Sequence, residues 1–398
     1  MPTHPRPPAF LLAIAAIAWL PLDACKNGAT ATPAPPASPA PARVNPERPP
    51  ASTAPAASAV APAASAAAAA GASVPAEPPH KVEVKETAMG THVTFVAFTT
   101  PRVDEAATRS AIGRAVSEMR RLEALMSEWQ ADSEIGRVNA SDGEWVAVSP
   151  ETLEVIQKSL WAGKVSNGVF DITFQSMSGL WKFGSAMEAA PQPPTRAAVA
   201  AAKKLVDYRK IETDAGRVRI GKGQSIGLGG IAKGYIVDRA VRVLVDAGLE
   251  AFLVQAGGDL YGKGHKPDGT RWVSGIQDPR GQQGRFFATI ELEDRAFSTA
   301  GDYARSYVKN GKRYHHIIDP RTGYPATACR SVTVWAPDAF VADAVDDAVF
   351  ILGPALGLPL VESLDGVGAV IVDQANRVHV SERLRGKVRI LSEPTPGI

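Results

Sequence analysis

Ala296 to Pro325 reads A-F-S-T-A-G-D-Y-A-R-S-Y-V-K-N-G-K-R-Y-H-H-I-I-D-P-R-T-G-Y-P, and three carboxylates follow it at Asp343, Asp346 and Asp347. The pattern around them predicts a helix over 338–352, on which they fall at i, i+3 and i+4 and crowd one face. Phe340, Val341, Ala344, Val345, Ala348 and Val349 supply apolar surface around them. Like charges at that spacing repel. Either water screens them as a solvated acidic face or a cation sits among them, and the polar, glycine-marked turns nearby favour a hard cation such as Mg²⁺.

Working outward, four further segments share this character. Met89-Gly90-Thr91 lies between two alternating runs and reads as a tight connection between strands. Ser166 to Asp171 (S-N-G-V-F-D) follows a helix that starts at a Ser149-Pro150 cap and ends at Asn167-Gly168. Gly221 to Gly234 reads G-K-G-Q-S-I-G-L-G-G-I-A-K-G, a glycine-rich turn opening a helix with Tyr235, Val237 and Asp238. Val254 to Leu260 (V-Q-A-G-G-D-L) ends a buried strand with a glycine pair.

The first 80 of the 398 residues are unlike the rest. Ala9 to Leu22 is an apolar run too short to span a bilayer, which needs ~20 residues, and it reads as an export signal over residues 1–25. Leu22-Asp23-Ala24-Cys25 looks like a bacterial lipoprotein cleavage box, with Cys25 the lipidated first residue of the mature chain. Ordinary cleavage to a soluble protein is the alternative. Both place the protein outside the cytoplasm, lipid-anchored at the inner membrane facing the periplasm in the first case and soluble in the periplasm in the second. Residues 26–80, dominated by Ala, Pro and Ser, form a tether that spans roughly 40 Å as a coil and on the order of 150 Å as polyproline.

A net charge of +2 gives no electrostatic case for nucleic acid, and with only Cys25 and Cys329 no structural disulfide is expected. Residues 81–391 suffice for one large domain, with 392–398 a C-terminal tail. Ile112, Ala115, Val116, Met119, Leu122, Leu125 and Met126 recur at helical spacing, predicting a helix over 104–128, and Asp132 and Ser133 cap a shorter one. Hairpins are expected at 206–212 with 216–220 and at 272–278 with 285–292, and buried strands over 331–335 and 368–372. The class is α+β with mostly antiparallel strands.

The order M-G-T, D-S-E-I-G-R-V-N (132–139), G-V-F-D, G-G-I-A-K-G-Y-I-V-D, A-G-G-D-L, T-A-G-D-Y, H-I-I-D-P-R-T-G-Y-P and A-D-A-V-D-D-A resembles the ApbE family of FAD:protein FMN transferases. The resemblance covers roughly residues 81–391 and implies a fold related to the tunnelling-fold enzymes. It implies transfer of FMN from FAD to a Thr or Ser hydroxyl of an exported redox protein, with AMP leaving. Such acceptors would be subunits of redox-driven ion pumps or flavin-carrying reductases, with a local pattern D-x-x-[ST]-G-A-[ST]. By resemblance, Met89 and Trp129 line the flavin or adenine pocket, Val169, Phe170 and Asp171 contact the cofactor, and Lys233 adds a contact at a helix start. Magnesium ligands map to the Gly230 carbonyl, Asp343 and Asp347, with Asp346 alongside, and His316 maps to a general base or a direct flavin contact. Asp259 and Asp302 are expected to order loops.

Trp129 stands where the family usually has Tyr, and three further departures from the family pattern stand out. Asp347 replaces the usual Thr, Ala300 replaces a common Ser, and Gly227 replaces an Asp that contacts the cofactor. A hydrolase splitting FAD to FMN and AMP at the same site, and a non-catalytic flavin-binding lipoprotein, are the alternative readings.

Overall fold

The computed structural model describes residues 78–183 and 192–398. The expected signal and nearly all of the tether lie outside the described residues. Eight strands form the central sheet: Lys81–Ala88, Thr91–Phe98, Phe252–Ala256, Asp259–Lys263, Arg295–Gly301, Cys329–Ala336, Gly368–Asp373 and Val378–Val380. Their order across the sheet is their order in the chain, and every pairing is antiparallel. Such a meander needs no crossover, so whole helical segments can be inserted between neighbouring strands without disturbing it.

The helices are α1 (Glu105–Met126), α2 (Glu134–Ala140), α3 (Pro150–Val165), α4 (Arg196–Lys203), α5 (Ala232–Asp246) and α6 (Ala339–Glu362). Local chemistry starts most of them. Asp104, Ser133, Ser149 and Thr195 each accept a backbone N–H from the first turn of the helix that follows. Helix α3 ends as its sequence indicates, with Asn167 at φ 54° and Gly168 at φ 78°.

Helices α5 and α6 cap each other instead. Ile231 gives α5 no side-chain cap, but Asp343 of α6 accepts from Gly234 N at 2.9 Å. In return Asp238 of α5 accepts from Ala339 N and Phe340 N at 2.9 Å each, beside the local cap at Asp338. Their crossing is close: a Cβ on Gly234 would stand 2.2 Å from the Ala339 carbonyl oxygen.

Helix α6 runs ten residues beyond the expected Leu352 because a second helical stretch resumes after a break at Gly353 (φ 71°, ψ 178°), before Pro354. Its length and composition would let it cross a bilayer. Here it packs on α5 and on the strands Arg295–Gly301 and Cys329–Ala336. Helices α1, α3, α5 and α6 form the main core over one face of the sheet. The other face carries Leu260, Phe297, Trp335 and Val370 against Trp272, Phe287 and Ile290 of a three-stranded sheet. Cys329–Ala336 is covered on both faces and is buried at every position, including the polar Arg330, Ser331 and Thr333.

The hairpin expected at 272–278 with 285–292 forms as Trp272–Gln277 paired with Phe286–Leu292. The one expected at 206–212 with 216–220 shrinks to Glu212–Asp214 with Arg217–Arg219, because Asp207 caps a 3₁₀ turn at Tyr208–Lys210. The last residues pack onto the domain: Thr395 donates to Asp278, and Pro394 O accepts from Asn376.

Candidate active site

The site gathers at one end of the sheet, where the strand-connecting turns at Met89-Gly90 and Gly257-Gly258 meet the start of α5 and one face of α6. Thr91 Oγ1 would lie 3.0 Å from a Cβ on Gly257, and Gly258 approaches the Thr299 carbonyl. Here Lys233 in the first turn of α5 donates to Asp259 Oδ2 at 2.8 Å and to Asp343 Oδ1 at 3.1 Å. Burial opposes its charge, but Asp259, Asp343 and Asp346 outweigh that and hold its pKa above the ordinary lysine value.

Four carboxylates thus meet one ammonium group. Burial, reinforced by Asp259, raises Asp343 to about 7 against the pull of Lys233. Asp347 rises by burial to about 6. Asp346 is pushed well up by burial and then by Asp347 and Asp343. Ser298 Oγ lies 2.5 Å from Asp259 Oδ1 and 2.7 Å from Asp346 Oδ2. A hydroxyl carries one proton, so both contacts are satisfied only when one carboxylate is protonated, and Asp346 is the one whose environment demands it.

Such a cluster fits a cation. The carboxylates outnumber their counter-charge, and the backbone of Gly230 adjoins Asp347, whose Oδ2 would be 3.0 Å from a Cβ there. No three or more His, Cys, Asp or Glu side chains among the described residues are arranged to hold a metal unaided. That suits Mg²⁺, which commonly takes one or two carboxylates and completes its shell with water and substrate phosphates. Gly230, Asp343 and Asp347 are the residues that would hold it, with Asp346 behind them.

His316 faces a different environment from its neighbour. His315 is buried, with Nε2 2.9 Å from the Ala326 carbonyl oxygen and its ring edge-on to Phe350. His316 Nδ1 is buried without a partner, and burial followed by the charge of Arg305 pushes its pKa down to about 3. The ring is therefore neutral at pH 7 and has an acceptor to offer a ligand. Asp319, three residues on, is occupied by Arg321 rather than by His316.

The expected cofactor contacts are placed unevenly. Phe170 is buried with its ring edge 3.5 Å from the Cβ position of Gly230, and Val169 is buried in the main core. Both oxygens of Asp171 are taken by Thr173 and the Tyr208 N–H, so its carboxylate organises the loop. Met89, at φ 54°, donates its N–H to Glu123 and packs on the core. Trp129 is 81% exposed, leaving its ring free to stack on a ligand.

Asp302 orders its loop as expected, through a buried bidentate pair with Arg280 at 2.6 and 2.7 Å. Asp259 does more than that, since it shares Lys233 and Ser298 with the cluster. Ser298, Glu128 and Arg305 were missed by the sequence reading. Glu128 Oε1 lies 3.6 Å from the Cβ position of Gly229, and burial raises its pKa while the Leu228 backbone and Arg305 oppose the rise. Ser298 and Arg305 flank the T-A-G-D-Y motif and Glu128 precedes Trp129, but nothing local shows that their side chains turn toward the site.

The profile of the ApbE family matches residues 89–371. An FAD:protein FMN transferase of Treponema pallidum is 30% identical over 305 residues, covering 72% of this chain and 83% of the relative. The crystal structure of the ApbE protein of Thermotoga maritima superposes with a TM-score of 0.70 at 32% identity, covering 78% of this chain and 100% of that one. The flavin transferase ApbE of Vibrio cholerae gives 0.69 at 27% identity, covering 78% and 100%. With the match extending through the strand turns, the glycine-rich entry to α5 and the acidic face of α6, the chain belongs to the ApbE family.

Proposed function

We propose that this protein is an FAD:protein FMN transferase that uses Mg²⁺ to attach FMN to a Thr or Ser hydroxyl of an exported redox protein. The observation that carries the reading is the buried cluster of Asp259, Asp343, Asp346 and Asp347 around Lys233, beside the unpartnered Nδ1 of His316. A pyrophosphate needs positive charge, and Lys233 with the positive end of the α5 dipole supplies part of it. Bound Mg²⁺ would add charge stabilisation on the phosphate oxygens.

The acceptor hydroxyl oxygen forms a bond to the FMN phosphorus, and the bond from that phosphorus to the bridging oxygen of AMP breaks. His316 takes the hydroxyl proton. A ring held near pKa 3 is a weak base alone, but an anionic pyrophosphate offsets the cationic neighbours and raises it. Asp343 fixes both Lys233 and the α5 terminus, so it positions the phosphate-binding groups as well as offering a metal ligand.

The test combines the protein with FAD, Mg²⁺ and an acceptor fragment bearing D-x-x-[ST]-G-A-[ST]. Intact mass is read for the fragment and chromatography for the nucleotides. A fragment heavier by one FMN, formed with AMP and abolished by chelation, is the expected result. Free FMN and AMP with an unmodified fragment would make the activity hydrolysis, and intact bound FAD would make the protein a flavin carrier.

We further propose lipidation at Cys25 and a periplasm-facing position at the inner membrane, on the strength of the L-D-A-C box after the apolar run. Cys25→Ala should move the protein from the membrane to the soluble fraction. A variant still sedimenting with membranes would refute the anchor.

A further inference from the structure

Gly227 lacks the side chain that the sequence comparison led us to expect, and the structure fills the space from another segment. A Cβ on Gly227 would stand 2.8 Å from Gln175 Oε1, 3.1 Å from its Cδ and 3.3 Å from its Cβ. The whole side chain of Gln175, from the 3₁₀ segment Ile172–Leu180, therefore lies across the glycine. Residue 227 can carry a side chain only if residue 175 gives way.

The two segments are held in this register. Gly227 N donates to the Ile172 carbonyl at 2.9 Å, and Ser225 N to Ser176 Oγ at 2.9 Å. Asn139 clamps Ile226 from the other side, accepting its N–H at 2.7 Å and donating to its carbonyl at 2.9 Å. Among the described residues the Gln175 carboxamide has no hydrogen-bond partner. It is half-buried, so water reaches it and a ligand can replace that water.

From Gly227 the chain runs directly to Gly230 and Lys233, where the phosphate-binding groups begin. Three peptide links separate Gly227 from Gly230, at most ~11 Å. A dinucleotide with its pyrophosphate at Lys233 can thus extend its adenosine toward Gln175. A carboxamide presents a donor and an acceptor side by side, which is the complement of an adenine edge bearing an amino group beside a ring nitrogen. Being neutral, it also adds no repulsion to the adjacent pyrophosphate.

We infer that Gln175 is the residue that reads the adenine of FAD, donating to a ring nitrogen and accepting from the 6-amino group across the bare face of Gly227. The inference rests on the transferase reading only in taking FAD as the substrate. It makes Gln175 a specificity determinant for the nucleotide half, with no part in the chemistry at phosphorus.

The test is equilibrium binding of FAD and of FMN to the full chain, wild type and variants, by flavin fluorescence, with ADP and IDP as competitors. Gln175→Ala should weaken FAD about 10-fold and leave FMN, which has no adenine, unchanged. It should also erase the preference for ADP over IDP, whose base carries oxygen in place of the 6-amino group. Gln175→Glu keeps the shape and should lose affinity too, because it cannot donate to the ring nitrogen. In the Gly227→Asp background, which forces the two side chains together, Gln175→Ala should restore FAD binding rather than weaken it. Equal loss of FAD and FMN in Gln175→Ala, or no loss of either, would overturn the inference while wild-type FAD binding keeps the transferase reading standing. A wild-type chain that binds neither flavin overturns both.

Discussion

At the scale of single residues, the site works through competition for charge. Asp343 holds Lys233, caps α5 and faces the proposed cation, so no neighbour can take over its place. Asp343→Ala is expected to lower kcat at least 10²-fold, in keeping with the loss of a preorganised electrostatic group. Full Mg²⁺-dependent turnover in that variant would remove the metal assignment. His316→Ala should bind FAD but transfer about 10²–10⁴-fold more slowly, the range of a general base; wild-type rates would take histidine out of that role. The pH profile separates the two groups. In the free protein, with His316 near 3 and Asp347 and Asp343 near 6 and 7, the acid limb of kcat/KM belongs to the carboxylates. Raising Mg²⁺, which competes with protons for those oxygens, should shift that limb to lower pH. A limb that stays fixed at all Mg²⁺ concentrations would return it to the histidine.

At the scale of elements, the reciprocal capping of α5 and α6 sets the angle at which the acidic face meets the glycine-rich turn. Gly234→Ala puts a methyl group against the Ala339 carbonyl and the Asp343 Cβ, 2.2 and 2.8 Å away. We expect a loss of about 3 kcal/mol or more in unfolding free energy, larger than an ordinary overpacked core position. Denaturant titration measures it, and a loss under 1 kcal/mol would mean the helices slide apart freely. Asp238, which caps α6 from α5, is raised to about 7, first by burial and then by Asp338, against its backbone donors. A carboxyl raised in the folded state contributes stability below its unfolded pKa near 4, and that contribution is lost as pH rises through 7. Asp238→Asn should therefore make the melting temperature fall less steeply, or rise more steeply, than wild type between pH 4.5 and 7. An unchanged slope would show that Asp238 does not contribute to it.

At the scale of the whole molecule, pH and metal act on the same balance. His316 contributes in the opposite sense: lowered to about 3, it favours the fold above its ordinary value of 6.5 and loses that as pH falls toward 3. Across pH 4 to 7 the raised carboxylates work against it, so in the metal-free protein their stabilising contribution is spent by about pH 7. Mg²⁺ should offset that loss, with a larger shift in melting temperature at pH 8 than at pH 5; equal shifts would place the ion elsewhere. Much of this architecture is legible in the chain itself. The 3.6-residue apolar period of α1, the Ser149-Pro150 start of α3 and the hairpin at Trp272–Leu292 are local patterns that neighbouring residues enforce. The spacing of Asp343, Asp346 and Asp347 on one helical face follows from the helix repeat alone. What surrounds that face does not. That Asp259 and Ser298 complete the cluster, that Asp343 caps α5, that Asp171 turns to its own loop and that Gln175 occupies the space of residue 227 were decided by tertiary structure. The Ser298–Asp259 and Gly234–Asp343 contacts join residues 39 and 109 positions apart, and no local propensity encodes which distant backbone will arrive. Sequence determined the elements and the motif order because both depend on residues within a few positions of each other. Burial and the meeting of strand ends determined the charges, because a carboxylate's pKa depends on neighbours that only the folded chain supplies.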